Sequence, residues 1–189
     1  MRALVLGGCL VVAASLAWAS NVPVEARQDG QSAAAVQGSQ TLPGGATSLQ
    51  EMYADWRVAC AQQNGRKICA LSQQQTDKNT HQLLLAIELN APAIDKAEGT
   101  LILPFGLALD RPVTLQIDEA VDGPSLRFRT CLPVGCLVRL AFDPATIVLL
   151  RKATTLTVRA TADGGQGAAF KISLNGFSGA LDRTAALSK

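Results

Sequence analysis

Apolar and polar positions alternate along most of the chain beyond residue 55, the period that places every second side chain on one face of a β-strand. Trp56, Val58 and Cys60 alternate with Arg57 and Ala59. After the polar stretch Gln62-Gln63-Asn64-Gly65-Arg66, Ile68, Ala70 and Ser72 share one face of a return strand while Cys69 takes the other. Asn-Gly suits a two-residue hairpin turn because both central residues of that turn need positive φ. Residues 56–75 are therefore expected to form a hairpin that sets Cys60 near Cys69. The same alternation recurs at Val113, Leu115 and Ile117, at Leu126, Phe128 and Thr130, at Leu156, Val158 and Ala160, and at Phe170, Ile172 and Leu174. Thr100–Leu103 and Val134–Phe142 also read as strands. Leu83–Ile87 is apolar at consecutive positions, as in a central strand covered on both faces, and Asn90-Ala91-Pro92-Ala93 is expected to end it.

Two short helices fit the remainder. Asp143-Pro144 pairs a good N-cap with a proline at the first helical position, and Arg151 and Lys152 close the segment at its negative end. Residues 177–186 form a second helical stretch, laying Phe177 and Leu181 on the core. Modest strands punctuated by Gly and Pro, with few helices, define an all-β antiparallel sandwich.

The N-terminus has a different character. Arg2 precedes a 14-residue apolar run, Ala3–Leu16, and Ala17-Trp18-Ala19 gives the small-x-small pattern of a cleavage site. The run is short of the ~20 residues of a membrane span, so residues 1–19 read as a secretory signal peptide. Cys9 leaves too little apolar chain before it for a lipoprotein signal. Residues 20–50, rich in Gln, Ala, Gly and Ser without periodicity, read as a disordered tail, and 51–189 as the β-sandwich domain.

Removing residues 1–19 leaves 16 basic and 15 acidic side chains, a balance that argues against nucleic acid as a partner. It also leaves four cysteines, Cys60, Cys69, Cys131 and Cys136. In an exported chain these are expected to form two disulfides, with proximity favouring Cys60–Cys69 and Cys131–Cys136 over the two crossed pairings.

Catalytic chemistry is hard to place. A Ser or Cys triad needs a base, and the lone His81 has no carboxylate beside it. The cysteine spacings fit disulfides better than zinc. Cys131-Leu-Pro-Val-Gly-Cys136 could be an exchangeable bridge, but it lacks Cys-x-x-Cys spacing and a helix to lower a thiol pKa. Its turn is also a candidate binding loop. Asp118, Glu119 and Asp122 match no calcium loop, and 164–167 no phosphate loop. Arg127 and Arg129 on one face, with Arg139 in a neighbouring strand, form the best candidate patch for an anion or a partner.

The order Trp56-x-Val58-x-Cys60, Cys69, Gln73-Gln74-Gln75, Leu103-Pro104-Phe105-Gly106, Ile117-Asp118, Cys131-x4-Cys136 and Leu174-Asn175-Gly176-Phe177 resembles the invasion-associated locus B family. The resemblance spans about residues 53–181; Phe105 stands where that family usually has leucine. It implies an Ig-like β-sandwich, export in Gram-negative bacteria and a link to host-cell invasion, and it brings no catalytic residues. The expectation is an exported envelope protein, periplasmic or secreted, that binds a protein partner at the envelope or host surface. It is read as no enzyme, with no cofactor, no metal and no membrane span in the mature chain. The alternatives are a thiol–disulfide protein using Cys131 and Cys136, or a small-ligand binder marked by a preformed apolar pocket.

Overall fold

The computed structural model describes residues 42–189 apart from 121, 122 and 124. Residues 1–19, read above as a signal peptide, most of the stretch 20–50 read as a tail, and Asp122 of the acidic cluster lie outside the described residues. Among the described residues, eleven strands and two α-helices follow in order: β1 (Ser48–Tyr53), β2 (Trp56–Gln63), β3 (Arg66–Thr76), β4 (Leu83–Ala93), β5 (Lys96–Leu103), β6 (Val113–Ile117), β7 (Ser125–Leu126), β8 (Phe128–Leu132), β9 (Gly135–Phe142), α1 (Pro144–Lys152), β10 (Thr155–Thr161), β11 (Gly167–Ser173) and α2 (Phe177–Leu187).

The strands form two antiparallel sheets, ordered β1-β2-β3-β4-β5-β9-β8 and β11-β10-β6-β7. This is the all-β antiparallel architecture expected from the pattern. Asn64 and Gly65 both take positive φ, 52° and 74°, and the hairpin sets Cys60 directly opposite Cys69. Asp143 caps α1, its carboxylate accepting from Thr146 N–H at 2.8 Å.

The inner face of the large sheet carries Trp56, Val58, Leu71, Leu85, Ile87, Leu89, Leu101, Leu103, Val138 and Leu140, all buried. They share one core with Val113, Leu156, Val158 and Ile172 of the small sheet and with Phe177 and Leu181 of α2. Helix α2 packs over β1–β4 and α1 lies against β5, β9 and α2. Among the described residues nothing covers the opposite face of the large sheet, where Met52, Ile68 and Leu84 are exposed.

Four local expectations are corrected. Ser48–Tyr53 forms β1 and Leu42 is buried, so ordered chain reaches nine residues before the boundary placed at 51. β4 runs on through Pro92 because its pairing with β5 is irregular between Asn90 and Ala93, so the missing N–H breaks no regular ladder. Leu84 is exposed, so β4 is central in its sheet but covered on one face. The 126–130 stretch is not one strand: β7 belongs to the small sheet and β8 to the large one, and the chain crosses between them at Arg127.

Candidate functional site

Three glutamines in succession, Gln73-Gln74-Gln75, sit on β3, and alternation sends Gln73 and Gln75 inward and Gln74 out. Strand β11 is the edge of the small sheet. Gln73 donates to the Ser173 carbonyl at 3.0 Å and accepts from the Ser173 N–H at 3.1 Å; Gln75 donates to the Lys171 carbonyl at 2.6 Å. Trp56 Nε1 also donates to the Ser173 carbonyl, at 2.8 Å, and its ring meets Phe177 edge-on at 5.2 Å. These side chains satisfy an open strand edge and fasten the two sheets together. Their role is architectural.

The disulfides are Cys60–Cys69 and Cys131–Cys136, each joining residues directly opposite in a hairpin. Cys60, Cys69 and Cys136 are buried, whereas Cys131 is partly exposed. His81 lies in an exposed turn, and its ring makes no hydrogen bond among the described residues. That turn is held instead by Asp77, whose carboxylate accepts from the N–H groups of Thr80 and Asn79 at 2.8 and 2.9 Å. The Thr80 N–H above all holds the Asp77 carboxyl below its usual range. Asp118 has a comparable duty. At positive φ, it accepts from Thr155 N–H at 2.9 Å and from Thr154 N–H at 3.1 Å, and the Thr155 bond foremost lowers its pKa. Among the described residues no group of three or more His, Cys, Asp or Glu side chains is gathered as a metal site would need.

Two of the concavities among the described residues bear on binding of a ligand or partner. The first lies on the uncovered face of the large sheet: a shallow concavity of about 440 Å³ whose lining includes Asn90, Glu98, Thr100, Arg129, Leu137 and Arg139. Arg129 reaches it because β8 shifts register between Phe128 and Thr130, an extra residue that turns its side chain outward beside β9. Arg139 stands opposite Thr100 on β5. Both guanidiniums are exposed, and neither joins an ion pair among the described residues. Of the three arginines in the expected patch, the structure brings these two together. Arg127, at the crossover, does not line the concavity.

The second feature is an apolar cavity of about 270 Å³ between the sheets, lined chiefly by Leu115, Ile117, Leu126, Phe142, Leu149 and Leu156. It was not foreseen as a location, because its walls come from both sheets and from α1. Thr146 is its one polar side chain among the described residues.

The family model described as "Invasion associated locus B (IalB) protein" matches residues 56–185. The chain belongs to the invasion associated locus B family. The matched region opens at Trp56 and takes in Gln73, Ser173 and Phe177, so the fastening between the sheets lies wholly within the IalB region. Over 150 residues the chain is 45% identical to the invasion protein B homolog of Brucella abortus strain 2308, covering 79% of this chain and 86% of that one. It is 35% identical over 153 residues to invasion protein B of Bartonella bacilliformis, covering 79% and 81%. The crystal structure of invasion associated protein B from Bartonella henselae superposes with a TM-score of 0.68 at 33% identity, covering 74% of this chain and 96% of that one. Among the described residues no helix is long and apolar enough to cross a membrane.

Proposed function

We infer that this IalB-family chain is an exported binding protein of the cell envelope, without catalytic activity, that engages a protein partner through the uncovered face of its large sheet. The observation that carries the reading is the pairing of Arg129 and Arg139 across one concavity, neither of them in an ion pair among the described residues. Two such guanidiniums suit carboxylates on a partner and contribute more to steering and specificity than to raw affinity. Two disulfides fit an oxidising compartment. Relatives named invasion proteins support a role at a host surface.

The test is binding of labelled protein to intact host cells and to isolated envelopes, with the Arg129→Glu/Arg139→Glu double variant in parallel. Saturable binding that falls tenfold or more on charge reversal, and weakens with salt, supports the reading. Binding unchanged by the reversal removes this face from it.

A second reading, a binder of a small apolar ligand, rests on the cavity between the sheets. At about 270 Å³ it is near the lower end of ligand pockets. Enhanced fluorescence of an apolar dye, displaced by a medium-chain fatty acid and lost in Leu115→Trp, would favour it over the first.

A further inference from the structure

The uncovered face has a second half, over β1–β4, that meets the concavity above at Asn90, Glu98 and Thr100. There the strand register lines up Met52, Arg57, Ser72 and Glu88 in a single row across four strands, continuing to Thr100 and Arg139. Adjacent strands are about 4.8 Å apart, so Arg57 and Glu88 stand about 10 Å apart with Ser72 midway. Both are exposed, and neither enters an ion pair among the described residues. The neighbouring rows place Ala59 beside Ala70 and Ala61 beside Ile68. Three large apolar side chains are exposed on this same face: Met52 at 64%, Ile68 at 46% and Leu84 at 39%.

We propose that this half is the contact surface for a second copy of the same chain, in a symmetric dimer whose two-fold axis lies between the facing sheets, parallel to β3 and over Ser72. Such an axis reverses the strand order of the facing copy. Arg57 of each copy then meets Glu88 of the other, so one register makes two ion pairs, as an isologous interface requires. Ser72, Ala70 and Ile68 meet their own counterparts, Met52 meets Thr100, and Gln50 meets Glu98. Short side chains at the centre let the backbones approach.

The charges also select the axis. A two-fold along β4 sets Glu88 against Glu88. One along β5 pairs Glu88 with Arg139 but sets Glu98 against Glu98. Along β3 no charge meets its like within the contact, since Arg66 lies about 20 Å along the strand from Ser72, at the rim. The contact spans about 20 Å by 20 Å, smaller than a standard stable interface, so association is weak and salt-sensitive.

Sedimentation equilibrium of the purified chain up to about 1 mM, at low and high ionic strength, tests this. The expected result is a monomer–dimer equilibrium that weakens with salt. Arg57→Glu or Glu88→Arg should each raise the dissociation constant about tenfold or more, and the two together should restore it. A wild-type chain that stays monomeric, singles that dimerise like wild type, or a double variant that fails to recover would each overturn the proposal. So would loss of the dimer with Arg139→Glu in place of Arg57→Glu. Cross-linking reads the axis independently: Ser72→Cys should be joined into dimers by a short bis-maleimide and Thr100→Cys should not, and equal yields would sink the β3 axis.

Discussion

The side-chain amide of Gln73 pairs with the main chain of Ser173 as a neighbouring strand would, accepting at 3.1 Å and donating at 3.0 Å across 100 residues of sequence. Trp56 supplies the Ser173 carbonyl with a second donor, so the group most dependent on Gln73 is the Ser173 N–H. Replacing the buried Gln73 by Leu leaves that part-buried N–H without its partner, a loss of about 1–3 kcal/mol. Gln74→Leu changes an exposed side chain and should stay within about 0.5 kcal/mol. Urea unfolding of the two variants checks the contrast, and equal effects would show that the amide pairing is not what Gln73 contributes.

The two disulfides should differ in how readily they are reduced. Both sulfurs of Cys60–Cys69 belong to buried residues, whereas Cys131 is partly exposed, and exchange needs access for the attacking thiolate. Mild reductant followed by alkylation and mass spectrometry should label Cys131 and Cys136 first. Loss of either bridge should cost roughly 2–3 kcal/mol on the loop-entropy account, since both loops are short. If Cys131→Ser/Cys136→Ser keeps partner binding, the bridge is a clamp. If it abolishes function while leaving the fold intact, thiol–disulfide chemistry becomes the better reading.

What could be read ahead of the structure was local. Asn64-Gly65 and Asp143-Pro144 specify their turn and cap through their own backbone preferences, and both formed as expected. Strand β1 escaped notice because one of its inward positions is Glu51, whose partner Arg183 lies 132 residues away. The buried Gln73 is the same kind of case: its value depends on a strand edge that only the fold supplies. Leu83–Ile87 looked covered on both sides because an apolar run does not say whether a second layer exists. The arginine patch was half legible. Alternation put Arg129 outward, but the bulge that brings it to Arg139, and the crossover that takes Arg127 away, are properties of pairing.

Acid should weaken the clasp between α2 and β1. Arg183 holds Glu51 through two hydrogen bonds of 2.7 and 2.8 Å, and Tyr53 donates a third at 3.0 Å. The Arg183 bonds lower the Glu51 pKa from its ordinary value of 4.5, while burial foremost raises that of Tyr53. A carboxyl depressed on folding stabilises above its unfolded pKa and loses that contribution as the pH falls through the folded one. The pair is partly exposed, so at neutral pH it contributes at most about 1 kcal/mol. Glu51→Gln should therefore flatten the loss of stability between about pH 5 and pH 3. An unchanged slope would assign acid sensitivity to Asp77, Asp118 and Asp143, whose pKa values are lowered by hydrogen bonds of their own.

Gly176 tests whether the turn ahead of α2 tolerates any side chain. It sits at φ 85° at the helix N-cap, and a Cβ there would overlap the Tyr53 carbonyl oxygen at the end of β1. The obstacle is backbone, so no rotamer change relieves it. Its neighbour Asn175 accepts from the Asp55 N–H at 3.4 Å, and Phe177 carries the ring that meets Trp56. Gly176→Ala must therefore bear left-handed strain and also push β1 from the start of α2, for a cost of about 3 kcal/mol or more. Trp56 is the one tryptophan beyond residue 18, so its near-ultraviolet circular dichroism should lose intensity together with the drop in unfolding midpoint. Gly167→Ala, with no neighbour within 4 Å of the new carbon, is the matched control and should stay close to wild type. If both variants keep the wild-type midpoint, the contact between Gly176 and Tyr53 is not what sets the α2–β1 junction.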